Sequence, residues 1–195
     1  MLALCRNLYL TSNQLKSGGW NKNGGFQLTG KTIGIIGAGN IGRELIQLLS
    51  GFQCKILIND IVEIKDITAS NISFVDKSTI YSESDFISIH TPLTRETENL
   101  INLDVFKKMK NSAFLINTAR GLIVNENDLK YALQNEFIGG AAIDVYSEEP
   151  PTDLELLGLP NLISTPHTAG NALEAVIAMG VSAIEHLVQF KKLNY

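Results

Sequence analysis

Residues 32–60 predict a doubly wound α/β fold, a parallel sheet with helices on both faces, on three observations. The run 32–36 is short and rich in β-branched residues, as buried parallel strands are. Gly37, Gly39 and Gly42 follow at once and open an amphipathic segment. Gly37 permits the tight turn, Gly39 admits a pyrophosphate to the backbone, and Gly42 lets the helix pack close on the strand. A second apolar run, 55–59, ends at Asp60, 18 residues beyond Gly42 and near the spacing at which a carboxylate meets the adenosine ribose. A lone glycine triplet is a weak signal. Strand, glycine turn, helix and acid in succession specify a dinucleotide site of the Rossmann type. An acid at that tip favours NAD over NADP because it repels a 2′-phosphate.

The remaining elements follow in chain order. Residues 1–15 read as a helix on Leu2, Leu4, Leu8 and Leu15, without a capping residue. Residues 16–30 read as a glycine-punctuated connector in which Trp20 is a packing anchor or a subunit contact. The helix after the glycine turn is expected over 40–50, with Ile41, Leu45, Leu48 and Leu49 on one side and Gly51 as its C′ residue. Its first N–H groups and dipole suit phosphate charge. Strands are expected at 72–75, 85–90, 113–117, 138–145 and 162–165. Asn102 caps a helix over 103–109, and Asn125, with Asp128 in the capping-box position, caps one running to about 135. Residues 147–160 read as a loop. Asn171 and Glu174 form a capping pair for a last helix to about 190, striped by Leu173, Val176, Ile177, Ile184, Leu187 and Val188. Strands alternating with helices imply a parallel sheet, whose ligands sit outside the carboxyl ends of the strands. Gly37, Asp60, His90, Arg120, Asp144 and His167 all fall at those ends.

The chain has 195 residues, 45% hydrophobic and 18% charged, which fits one α/β core. A net charge of −4 without a basic block gives no sign of nucleic acid or an anionic membrane as partner. No apolar run reads as long enough to span a bilayer. Cys5 and Cys54 fit no metal or redox spacing, and a cytoplasmic setting is the expectation.

The strand tips carry chemistry. The Arg120 guanidinium would clamp a carboxylate through two parallel hydrogen bonds or, equally, serve a surface ion pair. His167 exchanges a proton near neutral pH, with a capping or packing role as the alternative. His90 reads as a pocket wall and His186 as a solvated helix face. Glu149 would hydrogen-bond the other imidazole nitrogen of His167, fix its tautomer and raise its pKa, although spacing does not separate Glu148 from Glu149. Pro92, after Thr91, ends a strand and shapes a pocket floor. Asp144 would take a hydrogen bond from a nicotinamide carboxamide or cap a loop. With a nicotinamide, these groups would interconvert a 2-hydroxy acid and a 2-oxo acid.

Four motifs carry a family resemblance: Gly37-Ala38-Gly39-Asn40-Ile41-Gly42, Asn117-Thr118-Ala119-Arg120-Gly121, Ala142-Ile143-Asp144-Val145 with Glu149-Pro150, and Thr165-Pro166-His167. In this order they resemble the D-isomer-specific 2-hydroxyacid dehydrogenases, phosphoglycerate dehydrogenase-like members above all. The resemblance covers almost the whole chain. It implies that Arg120 binds substrate, that His167 is the acid/base and that Glu149, directly before the proline, supports it. It also implies NAD contacts at Gly37, Gly39, Asn40, Ile41, Gly42, Asp60, Thr91, Pro92, Thr118, Ala119, Asp144 and His167. Residues 1–24 resemble a truncated inter-domain helix and dimerisation arm, 25–170 the core of the NAD domain and 171–195 its C-terminal helix. Such enzymes carry a separate substrate domain, which this chain is expected to lack. A homodimer is expected because residues 1–20 expose apolar side chains. The chain therefore reads as the NAD-binding and catalytic half of a dehydrogenase of small 2-hydroxy acids. The rival is a non-catalytic NAD(H)-binding module or a truncation product.

Overall fold

The computed structural model describes all residues except 23, 63, 65, 66, 68 and 195. The strands β1 (Thr32–Ile36), β2 (Lys55–Asn59), β3 (Ile72–Phe74), β4 (Phe86–Ile89), β5 (Phe114–Asn117), β6 (Gly140–Ile143) and β7 (Leu162–Ser164) form one sheet. Their order is β3-β2-β1-β4-β5-β6-β7, and every neighbouring pair is parallel. The order reverses between β1 and β4, where Ile36 is in register with Ile89. A crevice opens at such a switch point, beyond the carboxyl ends of the strands.

The period of two along each strand divides the core into two layers. Ile33, Ile35, Ile56, Ile58 and Phe86 belong to one cluster, and Ile36, Leu57, Ile87, Ile89 and Leu115 to the other. The central strands β1 and β4 are buried along almost their whole length because both faces are covered. Phe86 stacks on Phe114 at 5.2 Å between ring centroids, and Phe26 packs on both.

Several expected elements differ in detail. The first helix is two, α1 (Leu2–Cys5) and α2 (Leu8–Lys16). The break falls at Asn7, which adopts the left-handed conformation that asparagine tolerates. The turn lets Leu4 and Cys5 enter the core while α2 buries no residue. Helix α3 (Asn40–Leu49) turns Gly42, Ile46 and Leu49 to the sheet and leaves Ile41 and Leu48 exposed, against the expected face. Gly42 decides this orientation: a Cβ there would stand 2.2 Å from the Gly37 carbonyl oxygen, so residues four and seven further on share its inward face. Gly51 is no C′ residue. A 3-10 turn continues over Ser50–Phe52, and the left-handed residue is Gln53.

Helix α4 (Lys77–Glu83) was not foreseen; Asp76 caps it by accepting from the Thr79 amide, and Ile80 packs against the bare Gly34 of β1. Helix α5 (Leu103–Phe106) starts on Asn102 and is shorter than expected. In α6 (Glu126–Gln134) Asn125 accepts from the Asp128 amide, but Asp128 does not close a capping box, because its carboxylate takes the Leu103 amide of α5 at 2.9 Å. Helix α7 (Leu154–Leu157) lies inside the expected loop, capped by Asp153. One- and two-turn helices are too short to show a period.

Helix α8 (Leu173–Asn194) departs most. Its expected stripe is exposed, and Met179, Val181 and Phe190 add apolar side chains outside that stripe. Asn171 does not pair with Glu174; its side-chain amide donates to the His167 carbonyl. Residues Leu173–Lys192, 20 in number with mean hydropathy 1.4, are long and apolar enough to cross a membrane by length and composition alone. That corrects the expectation that no segment is. Met179, Val181 and Phe190, added to the stripe, raise the mean hydropathy of the segment.

Candidate active site

Because every strand is parallel, Gly37, Asp60, His90, Arg120, Asp144 and His167 stand at one edge of one sheet. At the β1 tip Gly37 has φ +92°, and a Cβ there would lie 2.8 Å from the His90 carbonyl carbon. Only glycine accepts both constraints. Gly39 is the opposite case, with nothing among the described residues within 4 Å of the place a Cβ would take. Among the described residues no side chain caps α3. Its N-terminus therefore offers backbone N–H groups beside open space, which is what a pyrophosphate requires. Asp60 braces this turn: its Oδ2 accepts from the Ala38 amide at 2.7 Å and its Oδ1 from Val62 at 2.9 Å.

A cavity of about 490 Å³ opens beside the turn, lined by Ile41, His90, Thr91, Pro92, Leu93, Thr118, Ala119 and Arg120. The Thr91 hydroxyl is buried there without a partner, among the described residues an unanswered polar atom in the cavity wall. Burial holds His90 below the usual histidine range, and its Nε2 lies 2.9 Å from the Ser88 hydroxyl, so it is a neutral wall as expected. Arg120 is held by a residue to which the sequence reading gave no role. Asn117, fully buried, accepts from the Ala119 amide at 3.0 Å and donates to the Arg120 carbonyl at 2.9 Å. The exposed guanidinium donates to the Ala119 carbonyl at 2.6 Å.

The last two tips carry the acid/base geometry. His167 Nδ1 lies 2.8 Å from Glu149 Oε2, which resolves the choice between Glu148 and Glu149. Both side chains are half-exposed. The histidine bond, and then the Tyr146 amide that donates to Oε1 at 3.1 Å, hold the Glu149 carboxyl below its ordinary range. His167 itself has φ +54°, a conformation a non-glycine residue keeps only where its surroundings impose it. Asp144 supplies much of that frame. Its carbonyl accepts from the His167 amide at 2.8 Å. Its Oδ1 accepts from the Thr165 hydroxyl and the Thr168 amide, and its Oδ2 from the Ala169 amide. Burial opposes the Asp144 charge, but the Thr165 hydroxyl and the two amides outweigh it, so the carboxyl titrates below the usual range. Asp144 therefore caps the 165–169 loop, one of the two roles expected of it. Thr165 is a second framing residue, marked in the sequence only as a hydroxyl beside a Pro-His turn.

The fold and this edge define a dinucleotide-binding domain of the doubly wound α/β class. Residues 1–169 match the D-isomer specific 2-hydroxyacid dehydrogenase NAD-binding domain, and the chain belongs to that family. It is 38% identical to hydroxypyruvate reductase of Thermotoga maritima, covering 100% of this chain and 64% of the relative. It is 36% identical to D-3-phosphoglycerate dehydrogenase of Bacillus subtilis over 97% of this chain and 37% of that protein. A solved structure of NAD-dependent formate dehydrogenase from Staphylococcus aureus, in complex with NAD, superposes with a TM-score of 0.89 at 36% identity. That match covers 100% of this chain and 60% of the other. The chain thus spans less than two thirds of the length of these relatives. The cofactor is NAD. The residues fit it: the bare Gly39, the uncapped α3, the orphaned Thr91 hydroxyl and an acid, not a base, at the β2 tip.

Proposed function

We propose that this chain is the NAD-binding and catalytic half of an NAD-dependent D-2-hydroxyacid dehydrogenase acting on a small 2-hydroxy or 2-oxo acid. The observation that carries the reading is the Glu149–His167 pair, 2.8 Å apart at the edge that also bears the glycine turn and Arg120. NAD, when bound, supplies the acceptor for the hydride that leaves the substrate carbon. The ionised Glu149 fixes the proton on Nδ1 of His167. Nε2 is then the atom that takes the hydroxyl proton during oxidation and returns it during reduction. The Arg120 guanidinium is suited to bind the substrate carboxylate and polarise the neighbouring oxygen. One of its N–H groups donates to the Ala119 carbonyl, and the remaining donors of the fork face no such partner among the described residues.

The test has two stages. NADH should bind saturably, followed by fluorescence, and a panel of 2-oxo acids should be reduced. His167→Ala should lower turnover by about 10²–10⁴-fold while NADH still binds saturably. A folded protein that binds no NADH refutes the proposal. Binding with turnover absent, and nothing altered by His167→Ala, leaves the non-catalytic NAD(H)-binding module.

The assembly belongs to the same proposal. The chain works as a homodimer in the cytoplasm, without a nucleic-acid or membrane partner. In support, Leu8, Leu15 and Trp20 are exposed on the N-terminal arm, and both thiols are buried and unpaired. Glu185 and His186, in the middle of α8, would be costly in hydrocarbon, which favours protein over lipid as its cover. A monomer by light scattering at micromolar concentration counts against the dimer.

A further inference from the structure

We propose that Glu126 is a positioning residue for the Glu149–His167 pair, acting through the amide of Ser147. The proposal takes that pair to be the acid/base couple described above. Two consecutive amides of the turn that bears Glu149 each meet a carboxylate. Tyr146 N–H donates to Glu149 Oε1 at 3.1 Å, and Ser147 N–H donates to Glu126 Oε1 at 2.5 Å. The first bond folds Glu149 back on its own turn and leaves Oε2 for His167. The second ties that turn to a separate element, 21 residues away in the chain.

Glu126 is well placed to act as an anchor. It is the first residue of α6, whose start is fixed by the Asn125 side chain on the Asp128 amide and by the Asn125 amide on the Ile101 carbonyl. A carboxylate in a first helical turn is also favoured by the helix dipole. The segment leading to it already abuts the turn. A Cβ on Gly121 would lie 1.9 Å from the Tyr146 carbonyl carbon and 2.5 Å from the Ser147 nitrogen. Arg120 precedes that glycine, so one segment, 120–126, carries the guanidinium at one end and the Ser147 anchor at the other. This arrangement holds substrate-binding and acid/base groups in one frame. Ser147 is exposed, so water can replace a lost acceptor and the fold survives. What is lost is the direction of the turn and with it the aim of Glu149 Oε2.

The test reads the imidazole in the chain without cofactor or substrate. The protein has three histidines, His90, His167 and His186, so long-range proton–nitrogen spectra resolve each ring, with His167→Ala as the assignment control. In the wild-type protein the neutral His167 ring carries its proton on Nδ1. Glu126→Asp keeps the charge at the helix start but is one methylene too short. Glu126→Ala removes the acceptor, and Glu126→Gln keeps a neutral oxygen at the same reach. The Asp and Ala variants should lose the Nδ1–H signature to the Nε2–H tautomer, and the Gln variant should retain it. If the Asp and Ala variants keep the wild-type signature, or the Gln variant loses it equally, the positioning role is overturned. A wild-type ring protonated on Nε2 instead refutes the pair itself, and with it the acid/base assignment. Should the Ala variant not fold, the Asp variant alone decides.

Discussion

Alanine at Gly39 and at Gly42 should separate cofactor binding from folding, although the two positions are three residues apart. At Gly42 the new methyl would lie 2.2 Å from the Gly37 carbonyl oxygen, a backbone atom that cannot swing aside. Overpacking of this kind costs about 1–3 kcal/mol. For a chain of this size that lowers the melting temperature by about 2–12 °C. At Gly39 none of the described residues lies within 4 Å and φ is −69°, which alanine adopts freely, so the melting temperature should stay within about 2 °C. The open space at Gly39 is the space the pyrophosphate is inferred to fill. A methyl there meets the ligand rather than the protein. The same overpacking range then weakens NADH binding by about 5- to 150-fold. Thermal melts followed by circular dichroism and NADH fluorescence titrations measure both quantities on each variant. A Gly39→Ala protein that melts like wild type and binds NADH with unchanged affinity would refute the inference that the pyrophosphate approaches the backbone at residue 39.

Two further expectations concern acids at the strand tips. Asp144→Asn replaces a charged acceptor of four hydrogen bonds and should cost about 1–3 kcal/mol. Because the Asp144 and Glu149 carboxyls both titrate below their ordinary range, their stabilisation is present above the unfolded value of about 4 and is lost as the pH falls through the lower folded values. Wild type should therefore lose more stability than Asp144→Asn between about pH 5 and pH 2 in denaturant titrations, and equal slopes would contradict the assignment. If Asp60 is the acid that opposes a 2′-phosphate, Asp60→Ala should lower the preference for NADH over NADPH by about tenfold or more, or 1.4 kcal/mol. An unchanged ratio of the two dissociation constants would count against that role.

Much of the fold was legible because its signals are local. The strands announce themselves as β-branched runs, Asn102 and Asn125 as helix caps, and Gly37, Gly39 and Gly42 as a turn in which Gly37 and Gly42 have steric reasons of their own. Helix α4 was not legible, since seven residues span too few turns to establish a period. The buried face of α3 was misjudged for a different reason. Gly42 has no side chain and was not counted among the inward positions, yet its closeness to Gly37 sets the rotation of the whole helix.

By itself the sequence determined the parallel α/β architecture, the dinucleotide turn and which residue types reach the strand tips, because each depends on neighbours a few positions away. Only the tertiary structure decided that Glu149 meets His167, that Asp144 faces the 165–169 loop, and that Asn117 and Glu126 stand behind Arg120 and the Ser147 turn. Except at Asn117, those bonds join residues 18 to 25 positions apart. No periodicity spans such a distance, and the hydrogen bonds form only once the parallel sheet has brought the ends of β5, β6 and β7 to one edge.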